Sequence, residues 1–391
     1  MQAFPVDPAP RFRYNMPLSA ILGPCLGRRF NGRRIMNTKP RIIAWELTRR
    51  CNLKCAHCRS ASTIASDTDE LSTPQIISVM DAILPVARPL LILTGGEPML
   101  RPDLFDIIAA AHDRGFTVAV APNGTLLDEP AARKMVSLGV HRVSISLDGP
   151  TADLHDDFRG EIGAFDAVMR ACQACKVAGL PFQINTTLTS RGINHLEQMV
   201  ALAASLGAVA LHTFSPVPVG RARELDRKEI SASLSPQFLE RLLHVYQNSP
   251  IPVRVTCAPQ FYRLLRERTG GRVAQTRAVP VGHDSFSHGC IAGRAYVFIA
   301  ANGSVQPCGY LPISCGNVLS NPFAEIWEKS ETLANLRNPH SVRGKCRSCD
   351  SLAICGGCRA RAYALTGDYL APDPFCNYQS PASAISQGEG P

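Results

Sequence analysis

The sequence has no apolar run near the ~18 residues that a membrane-crossing helix needs. The longest, residues 199–211, is broken by Ser205 and Gly207. No membrane partner is therefore expected. The N-terminus also lacks an apolar core followed by small residues, so a secretory signal is not expected. Acidic residues are scarce in residues 1–36. There Arg11, Arg13, Arg28, Arg29, Arg33 and Arg34 are balanced only by Asp7, which places +5 of the formal +9 charge in that stretch. A basic tail can touch nucleic acid, but no recognition-helix pattern follows it, and no nucleic-acid partner is expected. The plain reading of residues 1–38 is a disordered leader, with Met36 a candidate true start. Residues 381–391 read as a disordered tail.

Cysteine is abundant, with 15 in 391 residues. Disulfide frameworks belong mostly to small secreted domains. Here the cysteines cluster at metal-like spacings in a long chain without a secretion signal, so a reducing cytoplasm is expected. The densest cluster is Cys51-Asn-Leu-Lys-Cys55-Ala-His-Cys58. Three thiolates in one short loop suit a [4Fe–4S] cluster with one iron free of protein ligands, because a closed cluster takes four cysteines. Zinc is the rival, although its sites usually pair cysteines as CxxC and close the tetrahedron.

From Arg41 onward, strand and helix patterns alternate. Strand-like runs cover residues 42–47, 90–93, 117–121, 142–147, 181–187 and 209–214. Helical patterns intervene, the first opened by Ser72-Thr73-Pro74 with proline in the first turn. Its apolar residues Ile76, Ile77, Met80, Ile83 and Leu84 share one face. Six βα units predict an α/β fold with a parallel sheet, as an open or partial barrel. Ligands in such barrels bind at the C-terminal ends of the strands. The cysteine loop, Gly95-Gly96-Glu97-Pro98, Asn123 and Ser146 all fall there.

The barrel is expected over residues 39–256, including a further strand at 252–256. Residues 257–289 read as a linker with a long Gly/Arg/His-rich loop. Residues 290–380 read as a small domain held by metal–thiolate bonds that loses most of its structure without metal. That last part holds Cys290, Cys308, Cys315, Cys346, Cys349, Cys355, Cys358 and Cys376. A zinc ribbon is its alternative. Cys172 and Cys175 form a CxxC inside a helical run and read as core residues. Cys25 lies in the leader, and Cys257 stays unassigned.

The cysteine loop followed roughly forty residues later by Thr94-Gly95-Gly96-Glu97-Pro98 resembles the radical S-adenosylmethionine (SAM) superfamily. The resemblance implies a partial (β/α)6 TIM-like barrel. It also implies a [4Fe–4S] cluster on Cys51, Cys55 and Cys58 whose open iron chelates SAM, which on reduction releases a 5′-deoxyadenosyl radical. Gly95, Gly96 and Glu97 would meet the methionine end of SAM. Ser146 and Arg159 match positions that often hold its ribose and carboxylate. The residue before the third cysteine is usually aromatic in this family. Here it is His57, which either stacks like that residue or faces the substrate; a packing or hydrogen-bonding role is expected.

The C-terminal cysteines resemble the SPASM extension, with one or two auxiliary [4Fe–4S] clusters. By that resemblance Cys346, Cys349, Cys355 and Cys376 form one site. Cys290, Cys308 and Cys358 form another, with Cys315 a candidate fourth ligand. The Cys355–Cys358 spacing is x2 rather than the family's x3. Several stretches, among them Ala121-Pro-Asn-Gly-Thr125, His155-Asp-Asp-Phe-Arg-Gly160 and Cys355-Gly-Gly-Cys-Arg-Ala-Arg-Ala-Tyr363, are similar to the heme synthases of the siroheme-dependent pathway. That similarity implies decarboxylation of two propionates of Fe-coproporphyrin III to vinyl groups, giving heme b. A low-potential ferredoxin- or flavodoxin-like donor and an electron acceptor are implied with it, and no side chain is nominated as general base.

Four carboxylates on such a substrate call for arginines. Arg49, Arg50, Arg59, Arg221, Arg223, Arg359 and Arg361 are candidates by proximity to motifs. His57, His212, His283, His288 and Cys257 are candidate axial ligands for the porphyrin iron. The rival readings are the pathway's 12,18-didecarboxysiroheme deacetylase, a peptide- or sulfatase-modifying SPASM enzyme, and a non-catalytic metal-binding scaffold.

Overall fold

A computed structural model describes residues 29–30, 33–34, 39–65, 69–269 and 289–379. Most of the expected leader and tail, the loop 270–288 with His283 and His288, and Cys25 lie outside the described residues. Residues 1–38 form one unit, in which β1 (Arg29–Phe30) pairs antiparallel with β2 (Arg33–Arg34). Residues 39–391 form the other, which holds every site discussed below.

That unit opens with β3 (Ile42–Glu46) and α1 (Thr73–Ile83), then β4 (Leu90–Thr94) and α2 (Leu104–Asp113). Next come β5 (Thr117–Val120), α3 (Glu129–Ser137), β6 (Arg142–Ser146), α4 (Ala152–Arg159) and α5 (Ala164–Ala178). The series continues with β7 (Phe182–Thr187), α6 (Leu196–Leu206), β8 (Leu211–Phe214), α7 (Arg227–Ser231) and α8 (Pro236–Asn248). It closes with β9 (Val253–Thr256) and α9 (Pro259–Thr269). Strands β3 to β9 pair in sequence order, each parallel to the next. β9 thus extends the six expected βα units by one strand.

Local sequence explains the helices. At α1, Gln75 accepts the Ser72 backbone N–H at 2.9 Å, and Pro74 costs nothing in the first turn, where its missing N–H has no helical partner. Its buried side chains, Ile76, Val79, Met80 and Ile83, recur at three- and four-residue steps and pack on the sheet. Asp128 caps α3 by accepting the Ala131 N–H at 2.9 Å. α4 stops at Gly160, whose φ of +68° suits glycine. Cys172 and Cys175 are buried on α5 and belong to the main core, as expected for packing residues. Burial pushes both thiols up to about 12.

The cysteine-rich part contributes β10 (Tyr296–Ile299), β11 (Ser304–Gln306) and β12 (Gly316–Asn317), then α10 (Phe323–Lys329), α11 (Glu331–Arg337) and α12 (Arg359–Thr366). β10 pairs parallel with β3, Tyr296 opposite Ile42 and Ile299 opposite Trp45, and β11 and β12 follow antiparallel. The sheet order is therefore β12-β11-β10-β3-β4-β5-β6-β7-β8-β9. Among the described residues no helix is long and apolar enough to cross a membrane.

Candidate active site

Glycine sets the meeting of the first two strand-end loops. The Gly96 N–H donates to the Thr48 carbonyl at 2.7 Å, and the Glu97 N–H to the Arg50 carbonyl at 2.7 Å. A Cβ on Gly95 would stand 2.5 Å from the Thr48 oxygen, and one on Gly96 2.2 Å from that of Arg50. In the structure these glycines make room for the cysteine-loop backbone itself.

That loop gathers its thiols. Cys51 and Cys55 are buried around Leu53, and Cys58 packs against them half-buried. Burial pushes the Cys51 thiol up to about 11; the Leu53 N–H, 3.4 Å from its sulfur, opposes this, while Glu97, Cys55 and Cys58 add to it. Burial disfavours a bare thiolate at Cys51, so a bound metal cation would be needed to offset its charge. The donor set, three soft thiolates without a fourth cysteine, fits an iron–sulfur cubane with one open iron. His57 Nδ1 and Arg159 Nε are buried beside it with no hydrogen-bond partner, as atoms awaiting a polar ligand are. Among the described residues no group of three ligating side chains is placed to hold a single metal ion.

Arg159, at the end of α4, reaches this place with its side chain buried. Its Nη2 pairs with Asp148 Oδ2 at 2.6 Å, and its Nη1 lies 3.6 Å from Cys55 Sγ. Asp148 lies two residues past β6, before Gly149, and no sequence motif singles it out. Its Oδ1 accepts the Thr187 N–H at 2.6 Å, and its own N–H donates to His155 Nδ1 at 3.0 Å. Burial works to raise the Asp148 carboxyl, but Arg159, His57, His155 and the Thr187 N–H together hold it below the usual range. His57 stacks on Phe158, with centroids 4.5 Å apart and planes 6° from parallel. Burial drives it down to about 4 against the opposing pull of Asp148, so it is neutral at pH 7.

Glu97 is fully buried, and both its oxygens are engaged. Oε1 accepts the Met99 N–H at 2.9 Å and Oε2 the Asn123 N–H at 2.6 Å. Burial raises its carboxyl to about 7 despite those two donors. Asn123 Nδ2 donates to Asn52 Oδ1 at 2.8 Å, and Asn52 Nδ2 donates to Thr125 Oγ1 at 2.8 Å. The loops after β3, β4 and β5 are thus laced together by side chains. Ser146 ends β6, half-buried and opposite Asn185 of β7.

Most of the motif arginines serve the frame. Arg221 donates to the carbonyls of Cys55 and Ser62, both at 2.9 Å. Arg359 donates to those of Gly357, Tyr369 and Ala371. Arg361 is fully buried in a pair with Asp373. Arg59 pairs with Glu46 at 3.2 Å and lies over the Phe298 ring. These contacts correct the expectation that Arg361 holds a substrate carboxylate, since all of its guanidinium nitrogens are engaged inside the protein; Arg221 and Arg359 also bind the frame, but each keeps a buried Nη2 without a partner. The reason is physical: irregular cysteine loops leave carbonyls unpaired, and guanidinium donors satisfy them. His212 is also committed, between Gln183 and Thr256, and is removed from the axial-ligand candidates.

In the cysteine-rich part, Cys346, Cys349, Cys355 and Cys376 line one cavity, the grouping expected for the first auxiliary site. Burial pushes Cys355 up to about 12, with Cys376 and Cys346 adding to the rise. A second group forms around Cys358, which packs with Cys308 and Cys257. Cys290 and Cys308 interact with each other and with Cys358. Cys315 stands apart, against the main core beside Ser330 and Arg337.

Comparison with known proteins agrees with these two regions. Residues 45–203 match the radical SAM superfamily, and residues 290–350 match the SPASM iron–sulfur cluster-binding domain. The chain is 42% identical to "AdoMet-dependent heme synthase" of Methanosarcina barkeri, over 88% of this chain and 98% of that protein. It is 29% identical to "Fe-coproporphyrin III synthase" of the same organism, over 86% of this chain and 88% of the relative. A similar fold occurs in Streptococcus suis SuiB bound to S-adenosylmethionine, with a TM-score of 0.69 at 16% identity, covering 87% of this chain and 78% of SuiB. With three gathered thiols at the mouth of a parallel sheet and a cysteine-rich extension zipped to its edge, the chain belongs to the SPASM branch of the radical SAM family, enzymes that use SAM on a [4Fe–4S] cluster together with auxiliary iron–sulfur clusters.

Proposed function

We propose that the enzyme decarboxylates two propionates of Fe-coproporphyrin III to vinyl groups, giving heme b. The observation that carries this reading is the 42% identity along nearly the whole of a protein named as a heme synthase, against 29% to the one named Fe-coproporphyrin III synthase. Each conversion removes one hydrogen atom, one carbon dioxide and one electron from a propionate. When bound, the clusters and SAM supply the hydrogen-abstracting radical and take up that electron. A low-potential ferredoxin- or flavodoxin-like protein is the proposed donor.

The chain's own residues bind, orient and seal. Cys51, Cys55 and Cys58 would hold the first cluster, with Arg159, fixed by Asp148, poised for the SAM carboxylate. The backbone of Gly95–Glu97 would take the methionine end, and Ser146 the ribose. Arg59, Tyr296 and Tyr310 interact electrostatically with one another, and Tyr310 also with Cys58, Cys257 and Cys308; they are the proposed cation and phenols for a carboxylate-bearing macrocycle. The departing carboxylate is already ionised, so no side chain need act as base.

The test is anaerobic reconstitution followed by SAM, reductant and Fe-coproporphyrin III. Heme b with two equivalents of 5′-deoxyadenosine is expected. Intact Fe-coproporphyrin III alongside steady SAM cleavage refutes the substrate, and turnover of 12,18-didecarboxysiroheme instead identifies the deacetylase.

A further inference from the structure

The two thiol groups of the cysteine-rich part sit among charges of opposite sign. The inner group is Cys290, Cys308 and Cys358. Arg361 interacts electrostatically with Cys358, and its Nη1 donates at 2.9 Å to the carbonyl of Cys257, which packs against Cys358. Arg359 lines one cavity with Cys290 and interacts with it. Arg59 interacts with Cys308, and a Cβ on the adjoining Gly309 would stand 3.5 Å from Arg59 Nε. Each of the three thiols thus has its own guanidinium. Backbone donors add to this. The Cys358 sulfur accepts the Arg361 N–H, that of Cys290 the N–H groups of Arg359 and Ala292, and that of Cys308 the Tyr310 N–H at 3.5 Å.

The outer group, Cys346, Cys349, Cys355 and Cys376, faces carboxylates instead. Buried Asp373 lines the cavity with these thiols and interacts with Cys355. Asp350 Oδ1 lies 3.8 Å from the Cys349 sulfur. Two cations line the same cavity, but Arg263 is paired with Glu267 at 2.7 Å and Lys345 is exposed. The Arg361–Asp373 pair therefore has its anion in the outer cavity, and Cys358 feels the cation more strongly than the anion. Reduction adds negative charge to a cluster, so cations and hydrogen bonds to its sulfurs raise its potential, and anions lower it. Buried charges are screened little by salt. Water beside the half-buried Cys349 also favours reduction; against it stand three guanidiniums at one site and two carboxylates at the other.

We propose that the two auxiliary clusters have split potentials: the one on Cys290, Cys308 and Cys358 is easier to reduce, through Arg59, Arg359 and Arg361, and the one on Cys346, Cys349, Cys355 and Cys376 is harder, through Asp350 and Asp373. An electron reaching either cluster comes to rest on the inner one, the outer being oxidised as the inner is reduced. The inference rests on both thiol groups holding clusters and does not need the porphyrin assignment.

The experiment uses the full chain with Cys51, Cys55 and Cys58 replaced by alanine, so that only auxiliary clusters assemble. Iron is counted after anaerobic reconstitution, and each cluster's midpoint potential is read by EPR during a redox titration. Cys349→Ser, which alters or abolishes one signal, marks the outer cluster. Two clusters are expected, the marked one with the lower midpoint. Arg59→Gln should lower the inner midpoint and leave the outer one in place, while Arg59→Lys, which keeps the charge, should restore it. Asp350→Asn should raise the outer midpoint alone. Equal or reversed midpoints before these charge changes overturn the proposal, even where a variant fails to fold, as does an inner midpoint that Arg59→Gln does not move. Iron for a single cluster also overturns it, through the cluster reading. No porphyrin is present, so a failed heme assignment leaves the readout intact.

Discussion

Asp373 holds the cysteine-rich part to the barrel, and its removal has a calculable cost. Asp373 and Arg361 are both fully buried, with Arg361 Nη2 2.7 Å from Oδ2 and Nε 3.0 Å from Oδ1. Oδ2 also accepts Gln260 Nε2 at 3.0 Å and the Cys358 N–H at 3.2 Å, while Oδ1 accepts the Phe375 N–H at 3.2 Å. Five donors thus converge on one carboxylate. Removing one partner of such a pair strands a buried charge and costs about 3–5 kcal/mol. A chain this size has a urea slope of about 3 kcal/mol/M or more. Asp373→Asn should therefore lower the urea midpoint of the reconstituted protein by roughly 1 M, followed anaerobically by circular dichroism.

Arg361→Met alone should cost a similar amount. The double variant Arg361→Met/Asp373→Leu should recover part of the loss, a coupling of about 2–3 kcal/mol, because no lone charge remains. Recovery stays incomplete because Gln260 and the Cys358 N–H still lack an acceptor. Strictly additive midpoints, or a single-variant shift below about 0.3 M, refute the reasoning. The pH dependence has a defined sign. Burial works to raise the Asp373 carboxyl, but Arg361 and the hydrogen bonds hold it below its usual 3.8. Its contribution is therefore fully present above that value and is lost as pH falls below it.

Gly96→Ala drives a Cβ into the Arg50 carbonyl, costs about 1–3 kcal/mol and should weaken SAM binding about tenfold or more by calorimetry; unchanged affinity counts against the loop contact. Arg159→Lys keeps the charge but loses the planar fork. At about 1.5–3 kcal/mol for a charge-assisted bond, SAM cleavage should slow about 10–100-fold, read as 5′-deoxyadenosine formed per minute. His212, half-buried, is driven by burial from 6.5 down to about 4, with Arg254 and Arg142 adding to the fall. The folded state then binds fewer protons than the unfolded one between those values. Stability should rise from pH 4 to 6.5 by about 1–3 kcal/mol and level off above, and His212→Gln should flatten that slope in urea titrations.

The βα rhythm was legible because buried strands and one-sided helices repeat with different periods, and the strand ends locate the mouth of the sheet. Cys51, Cys55 and Cys58 were legible because three thiols in one loop have few other uses. Asp148 was missed because an aspartate before glycine at a strand end has the signature of a turn; nothing local marks its pairing with Arg159, eleven residues later. Arg361 was misread for a related reason, and the framing contacts of Arg221 and Arg359 were hidden in the same way. Sequence shows a cation near a motif but not the unpaired carbonyls that use it. Cys257 lay too far from Cys290 for any spacing rule, since only the fold returns the end of β9 to the cysteine-rich part. β10 was hidden similarly, because pairing with β3 joins residues about 250 positions apart.

That last pairing bears on how the chain is made. β3 leads into the radical-forming loop, yet one flank of its backbone pairs with residues 295–299, far along the chain. During synthesis β3 must wait, as an open sheet edge, until most of the polypeptide has left the ribosome. Exposed edges template aggregation, so a cell overproducing this chain faster than iron and sulfide can be delivered should accumulate it as inclusion bodies. Slowing translation should recover the protein without any change of sequence.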